Sequence, residues 1–409
     1  MIEDLRSKKI AVLGNGANNK NLVQFFLKHK IPYQLFDKWA GHDSLRGQLT
    51  GFNMIFRTPG LPYLSEAIQE AKSAGAQISS QTKLFFQLCP APIIGVTGTK
   101  GKGTTSSLIA KILKTAGKKT WLGGNIGRDP FEFLEQIQKG DLVVLELSSF
   151  QLQDMDKSPH VAVVINVGVD HLDHHRDLAE YAQAKLNILA HQTSADYAVL
   201  NPNLPESFKN SGSGQKVFFD TVAVKKFETR LLGSHNLENI AAAAETAKIF
   251  GIDEESIKRA VKEFEPLPHR LSFVKEANGV RYVDDSYSTN VEATLAAIAA
   301  FDSNLVLIVG GAKKGIAWDD LGSELVKNPK ITGLVVIGQV ADKIIGAAAG
   351  YRGKTATGAK TMDEILRQAN TMARAGDTVL LSPGTSSFDM FKNATDRGEQ
   401  FINAVEQLR

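Results

Sequence analysis

The sequence predicts an α/β protein whose sheets are mainly parallel and which folds as two or three domains. Short β-branched runs alternate with stretches of helical periodicity along all 409 residues, and that alternation builds parallel sheets. A chain of this length exceeds one ordinary core. Its most patterned stretch, residues 93–105, reads Ile-Ile-Gly-Val-Thr-Gly-Thr-Lys-Gly-Lys-Gly-Thr-Thr. That is a buried strand, a glycine loop holding lysine, and the start of a helix.

The 93–105 stretch has the form of a phosphate cradle. Around Gly98, Thr99, Lys100, Gly101 and Gly103, backbone N–H groups and a helix N-terminus can face anionic oxygens, while Lys102 reaches the outer phosphates. The strict pattern places a hydroxyl directly after the lysine for Mg²⁺. Gly103 stands there instead, and the hydroxyls follow at Thr104 and Thr105. The alternative is a turn that binds nothing, but a lysine inside such a turn seldom serves packing.

Composition narrows the class. Hydrophobic residues at 43% and charged residues at 22% describe a soluble globular protein. A net charge of +3 argues for neither nucleic acid nor an anionic membrane as partner. The single cysteine, Cys89, excludes an internal disulfide and fits a reducing compartment as a small buried hydrophobe. The N-terminus lacks the order of a signal peptide, and no run approaches the roughly 18 apolar residues of a membrane span. A cytoplasmic protein is expected.

Taken in order, residues 9–14 predict a strand ending in Gly14-Asn15-Gly16, followed by helix at 22–28 and a strand at 33–36 that ends at Asp37. Two glycines with an acid about 20 residues on resemble a dinucleotide turn, but Asn19 occupies the third glycine position. Such a turn can receive another phosphate-bearing ligand. A strand at 53–57 runs into Thr58-Pro59-Gly60, and residues 61–88 read as mostly helical. Pro90 and Pro92 mark a linker. Strands follow at 142–147, 161–166 and 197–200, then a surface loop at 201–214. Gly233-Ser234-His235-Asn236 opens an alanine-rich helix, with Ser234 or Asn236 as its N-cap. After the linker at 265–268, strands are predicted at 280–283, 305–309, 334–337 and 378–381.

Polar residues gather at the predicted strand ends, where open α/β sheets bind ligands. Glu146 ends an apolar strand, the place from which a carboxylate holds Mg²⁺; a buried acid without a partner would be costly. In the 166–175 stretch His171 is the metal or phosphate contact, and His174 and His175 read as solvated loop residues. Lys185 lies on what reads as an exposed helix. Asn236 and Asn239 share a helical face suited to a base or phosphate. Arg270, the 284–290 loop, the Gly310-Gly311-Ala312-Lys313-Lys314 turn and the 382–387 loop set hydroxyls, an acid and lysines along one edge of the last block.

These stretches together resemble the Mur ligase family from Ile10 to the C-terminus. The most specific are Gly-Gly-Asn125-Ile-Gly, Glu146-Leu-Ser-Ser-Phe-Gln-Leu, Asn-Val-Gly-Val-Asp-His171, Ala-Lys185, His-Asn236, Leu-Pro-His-Arg270 and Ser382-Pro…Phe391-Lys-Asn. The resemblance implies three domains. Residues 1–90 form a Rossmann-like domain for a UDP-sugar, 91–266 a central P-loop ATPase domain, and 267–409 a Rossmann-like amino-acid-binding domain. It implies ATP-driven addition of D-glutamate to UDP-N-acetylmuramoyl-L-alanine through an acyl phosphate, by a monomer, in peptidoglycan precursor synthesis. Domain closure is expected to shield that intermediate from water.

Residue by residue, the resemblance gives Lys102 and Thr104 the ATP phosphates, within a loop from Gly98 to Thr105. Glu146, His171 and a carbamylated Lys185 organise magnesium, with Thr104 as a further ligand. Asn236, Asn239, Arg270 and Asp285 contact ATP. Asn15, Gly16, Ala17 and Asn18 face the UDP diphosphate, with Asp37, Thr58, Asn125 and Ser148 completing the UDP-sugar site. Thr289, Lys314 and Ser387 take the D-glutamate carboxylates. The chain departs from the pattern at Gly103, at Tyr287 where lysine is usual, at Ala394 where an aromatic is usual, and at Trp39 where arginine is common. The rivals are another Mur or folylpolyglutamate-type ligase with a different amino acid, and a non-catalytic nucleotide or UDP-sugar sensor.

Overall fold

Sixteen strands among the described residues assemble into three sheets, and every pairing between them but one is parallel. The computed structural model describes residues 1–16, 19–37, 39, 41–168, 175–313 and 315–408, with only the backbone of 42 and 43. The first sheet holds β1 (Ile10–Leu13), β2 (Gln34–Phe36), β3 (Met54–Arg57) and β4 (Gln77–Ser80) in the order β2-β1-β3-β4. The second holds β5 (Ile93–Thr97), β6 (Thr120–Gly124), β7 (Leu142–Glu146), β8 (Val161–Val164), β9 (Tyr197–Leu200) and β10 (Gln215–Phe218) in the order β10-β9-β8-β5-β7-β6. The third holds β11 (Ser272–Ala277), β12 (Val280–Asp284), β13 (Leu305–Gly310), β14 (Ile331–Ile337), β15 (Lys354–Ala356) and β16 (Thr378–Leu381) in the order β11-β12-β16-β13-β14-β15.

The two first sheets lie in one compact unit, Met1–Glu228 with Leu237–Lys262; the third lies in a second, Thr229–Asn236 with Glu263–Arg409. In the first unit β1 sends Ile10 and Val12 into a core shared with the second sheet. Its alternate residues Ala11 and Leu13 face a separate core with Leu45, Ile55 and Ile68. Period-2 alternation with both faces apolar is what a parallel strand covered on both sides requires. In the second unit β13 does the same, with Leu307 and Val309 in one core and Val306 and Ile308 in the other.

Five strands were not expected from the sequence. β4 lies inside the predicted helical stretch 61–88, between the helices Glu66–Ser73 and Gln81–Leu88. Its Gln-Ile-Ser-Ser is short and polar, yet Ser79 and Ser80 are buried, and Ser80 caps the following helix by accepting from Lys83 N at 3.2 Å. β6 carries two glycines, and β10 and β15 are polar edge strands. β11 supplies the antiparallel pair, made by a hairpin whose turn has Asn278 at φ +52 and Gly279 at φ +77.

Each sheet changes winding direction once, and loops after the strands beside that point form a crevice. In the second sheet the point is β5, flanked by β7 and β8. The phosphate loop, Glu146 and residues 165–168 therefore leave the sheet at one place. In the third sheet the loops after β12, β13 and β16 are gathered in the same way.

Candidate active site

The phosphate loop departs from β5 and enters the helix Lys102–Thr115 through Gly101, whose φ is +81. A Cβ at Gly101 would lie 2.2 Å from Asn239 Oδ1, so both conformation and space demand glycine. Asn166, after β8, holds the loop's first half. Its Oδ1 accepts from Thr99 N and Lys100 N at 2.9 Å each, and its Nδ2 donates to Lys100 O at 3.2 Å. Thr99 Oγ1 accepts from Gly168 N at 2.8 Å and lies 3.1 Å from the Tyr181 hydroxyl. The N–H groups of Thr99 and Lys100, expected to face phosphate, are thus engaged by Asn166.

Two lysines converge on one carbonyl. Lys102 Nζ donates to Gly98 O at 3.0 Å and to Thr99 O at 3.1 Å. Lys185 Nζ donates to Gly98 O at 2.9 Å and lies 4.7 Å from the centre of the Tyr181 ring. Lys185 is 1% exposed. The exposed-helix expectation is therefore overturned: its face of the helix Leu178–Ala190, with Tyr181, Ala184 and Ile188, packs inward. Thr105 Oγ1 donates to Asn239 Oδ1 at 3.1 Å. Thr104, also buried, has its hydroxyl engaged by no side chain among the described residues.

A cavity of about 360 Å³ is lined by Lys102, Lys185, Glu146, Asn125, Ser148, Ser149, Phe150, Pro59 and Gly60. Glu146 is the last residue of β7 and almost buried. Asn125 follows β6, placed by its N–H donating to Glu146 O at 3.2 Å. Gly124 makes this possible, for at φ +100 a Cβ would fall 2.2 Å from Glu146 O. Ser148 starts the short helix Ser149–Leu152 through a capping box with Gln151. His175, expected to be solvated, is 3% exposed. It stacks on Phe150 at 5.3 Å with planes 4° apart, and its Nε2 lies 3.0 Å from Ser149 Oγ. A flat ring with a polar edge is worth burying against that cap, and hydropathy alone hides it.

At the first sheet's crevice, Asn15 and Gly16 are exposed after β1, and Asp37 Oδ1 accepts from Asn15 N at 2.9 Å. Asn19 is buried and shapes the turn, its Nδ2 donating to Leu13 O at 2.9 Å and Gly14 O at 3.1 Å. That bond pair explains why the third glycine is dispensable. Thr58 is half-buried after β3.

In the second unit, Asp285 follows β12 and is buried. It accepts from Ser288 Oγ, from Ser382 Oγ at 2.9 Å and from Leu271 N at 3.2 Å. Burial pushes its pKa up to about 7 despite those donors and the nearby Arg270 charge. Arg270 is exposed, its guanidinium 5.4 Å from the Tyr287 ring centre. It is bracketed by His269 at φ +62 and Leu271 at φ +46, left-handed conformations that cost about 1–3 kcal/mol each and cluster at functional sites. His269 Nδ1 lies 2.6 Å from Asp284 Oδ2, a bond that raises the histidine pKa. Arg397 is buried and links two loops, donating to Ser286 Oγ at 3.0 Å, Ser286 O at 2.7 Å and Thr385 O at 3.2 Å. Burial lowers its pKa to about 10. Ser387 is buried with no hydrogen-bond partner for its hydroxyl among the described residues, and Thr289 is half-buried.

Asn236 is not an N-cap: the helix His235–Ile249 begins one residue earlier, and Asn236 Nδ2 donates to Leu232 O at 2.6 Å. Ala17, Asn18, Asp170, His171, Asp173, His174 and Lys314 lie outside the described residues. Among the described residues, no three His, Cys, Asp or Glu side chains are grouped to hold a metal ion, and no helix is long and apolar enough to cross a membrane. Asn166, Asn19 and Arg397 were missed by the sequence reading. Asn166 alone carried a signal, standing at the end of a strand run beside His171.

Comparison with known proteins follows the same lines. The Mur ligase middle domain matches residues 96–221, and the Mur ligase glutamate ligase domain matches residues 269–384. The UDP-N-acetylmuramoylalanine--D-glutamate ligase of Acetivibrio thermocellus is 35% identical, with 98% of this chain and 97% of that protein covered. The enzyme of the same name from Clostridium kluyveri is 37% identical, with 99% and 98% covered. Among solved structures, the MurF ligase of Thermotoga maritima in complex with ADP has a TM-score of 0.62 at 19% identity, covering all of this chain and 96% of that one. The UDP-N-acetylmuramate-alanine ligase MurC from Thermotoga maritima has a TM-score of 0.59 at 15% identity, covering 98% and 99%. With relatives matched end to end and both domain families in chain order, the protein belongs to the Mur ligase family.

Proposed function

We propose that this chain is an ATP-dependent ligase that joins D-glutamate to UDP-N-acetylmuramoyl-L-alanine in peptidoglycan precursor synthesis, as a cytoplasmic monomer. The observation that carries the reading is the cavity where Lys102, Lys185 and Glu146 meet Asn125 and Ser148. Full-length relatives bearing this activity in their names support it. In this reading residues 1–90 bind the UDP-sugar, 91–266 bind ATP and 267–409 receive the amino acid.

The residues suit the chemistry. A carboxylate resists attack by an amine until phosphorylated. Lys102 offsets charge on the transferring phosphoryl group, and such fixed electrostatics usually make the largest contribution to rate. Asn166 and Asn239 keep the loop shaped to receive ATP, and Asn125 and Ser148 hold the UDP-sugar. Arg270, Asn236 and Asp285 contact ATP. Ser387 offers a buried hydroxyl without a partner among the described residues; with Thr289 and Lys314 it takes the carboxylates of D-glutamate. Thr104 and Glu146 are hard oxygen donors at the start of the helix after the phosphate loop and at the end of β7, and they fit Mg²⁺; the resemblance assigns His171 to the same ion. Lys185 fits the same ion only as a carbamate, since a buried ammonium would repel it. When bound, the ion supplies further charge compensation for phosphoryl transfer.

Phosphate release measured across nucleotide-sugar and amino-acid pairs tests the proposal. Release is expected only with UDP-N-acetylmuramoyl-L-alanine and D-glutamate together. Equal use of D-glutamine would refute the amino-acid assignment, and release without either substrate would refute the ligase reading.

A further inference from the structure

The first sheet and the cap after β7 are joined by an ion pair that the reaction does not use. Arg57 is the last residue of β3 and Asp154 follows the helix Ser149–Leu152; their side chains are 1% and 2% exposed. One guanidinium nitrogen of Arg57 donates both to Asp154 Oδ1, at 2.5 Å, and to Phe150 O, at 2.7 Å. Another donates to Leu61 O at 3.2 Å. The guanidinium therefore spans from the 58–61 turn to the 148–154 segment. Pro59 and Gly60 from the first, and Ser148, Ser149 and Phe150 from the second, line the cavity that also holds Lys102 and Glu146.

As a stabilising device this pair is poor. Among the described residues, Arg57 Nε and Asp154 Oδ2 are both buried without a hydrogen-bond partner, and a buried pair offsets its desolvation only when its remaining donors and acceptors are satisfied. Nor is it needed to hold the two layers together. Lys83 with Asp156, Gln81 with Asp129 and Lys28 with Glu135 already link them away from the cavity, above a shared apolar core. The distinct property of Arg57 is its reach: one rigid planar group fixes the separation of two loops that face each other across the site.

We propose that Arg57 and Asp154 are positioning residues, setting the width of the cleft so that the 58–60 backbone and Ser148 grip the UDP-sugar together. This rests on the reading of that cavity under Proposed function. A misplacement of about 1 Å in such a site can cost on the order of 10²-fold in rate.

The test is the double variant Arg57→Met with Asp154→Leu, which replaces both charges by apolar side chains, beside Arg57→Lys alone. Thermal unfolding and steady-state phosphate release are measured for each. The double variant is expected to melt at or above the wild-type temperature. Its kcat/KM for the UDP-sugar should fall on the order of 10²-fold while KM for ATP is unmoved. Arg57→Lys is expected to fall between, because a single ammonium nitrogen lacks the two separated donor nitrogens with which the guanidinium makes these links. Wild-type kcat/KM for the UDP-sugar in the double variant would overturn the proposal. A fall shared equally by ATP and UDP-sugar, with a lowered melting temperature, would overturn it too, since that is mere loss of structure. Wild-type turnover that ignores UDP-sugar would instead refute the reading of the cavity.

Discussion

Replacing Asn166 by alanine removes three hydrogen bonds from the phosphate loop while leaving every residue of the loop itself unchanged. Two of the lost bonds are the Oδ1 contacts to Thr99 N and Lys100 N, and the third runs from Nδ2 to Lys100 O. At about 0.5–1.5 kcal/mol net each, three bonds would sum to roughly 1.5–4.5 kcal/mol. The lower half of that range applies, because Thr99 N also donates to the backbone carbonyl of Asn166 at 3.0 Å and keeps that partner in the variant. A loss near 2 kcal/mol, if it falls wholly on the ATP-bound transition state, lowers kcat/KM for ATP by about 30-fold. Steady-state phosphate release with varied ATP reads this directly, with a thermal melt to separate it from unfolding. Asn166→Asp retains the acceptor but adds an anion beside the triphosphate, so it should keep the fold and lose more ATP affinity than alanine. Wild-type kcat/KM for ATP in Asn166→Ala would refute the idea that Asn166 shapes the loop.

Two further outcomes follow from buried charges. Lys185→Ala should lose turnover on the order of 10²–10³-fold while still binding ATP, with partial rescue by added formate or acetate; near-normal turnover would sink the carbamate role. Asp285, with a folded pKa of about 7 against about 3.9 unfolded, holds a proton in the folded state that the unfolded chain has released. Its contribution to stability is fully present below about pH 4 and is lost as pH rises to about 7, by at most about 1.4 kcal/mol per pH unit. Urea midpoints between pH 4 and 8 should show this slope in the wild type and not in Asp285→Asn; equal slopes would refute it.

Strands buried on both faces were readable because β-branched runs such as Val143-Val144-Leu145 and Val161-Ala162-Val163-Val164 have no other common explanation. Five of the six edge strands were not. Gln77-Ile78-Ser79-Ser80 and Lys354-Thr355-Ala356 lack the apolar signal because one face or one edge meets water. The glycine loop, Glu146 and the 284–290 loop were legible from residue type and place after a strand. The burial of Lys185 and His175 was not, since both depend on which helix face packs inward, and polar side chains conceal that face. Asn19, Asn166 and Arg397 act through backbone carbonyls and N–H groups, contacts that composition does not encode.

The bond from Thr105 to Asn239 spans 134 residues, and Gly101 seats its backbone against the same amide. During synthesis the phosphate loop leaves the ribosome long before its partner. The strand and glycines can form early, but the second half of the loop has nothing to rest on until the helix beginning at His235 has been made and has docked. Completion of the nucleotide cradle is therefore tied to nearly two thirds of the chain being present. A nascent fragment ending before that helix carries the motif in its sequence without the finished cradle in its structure.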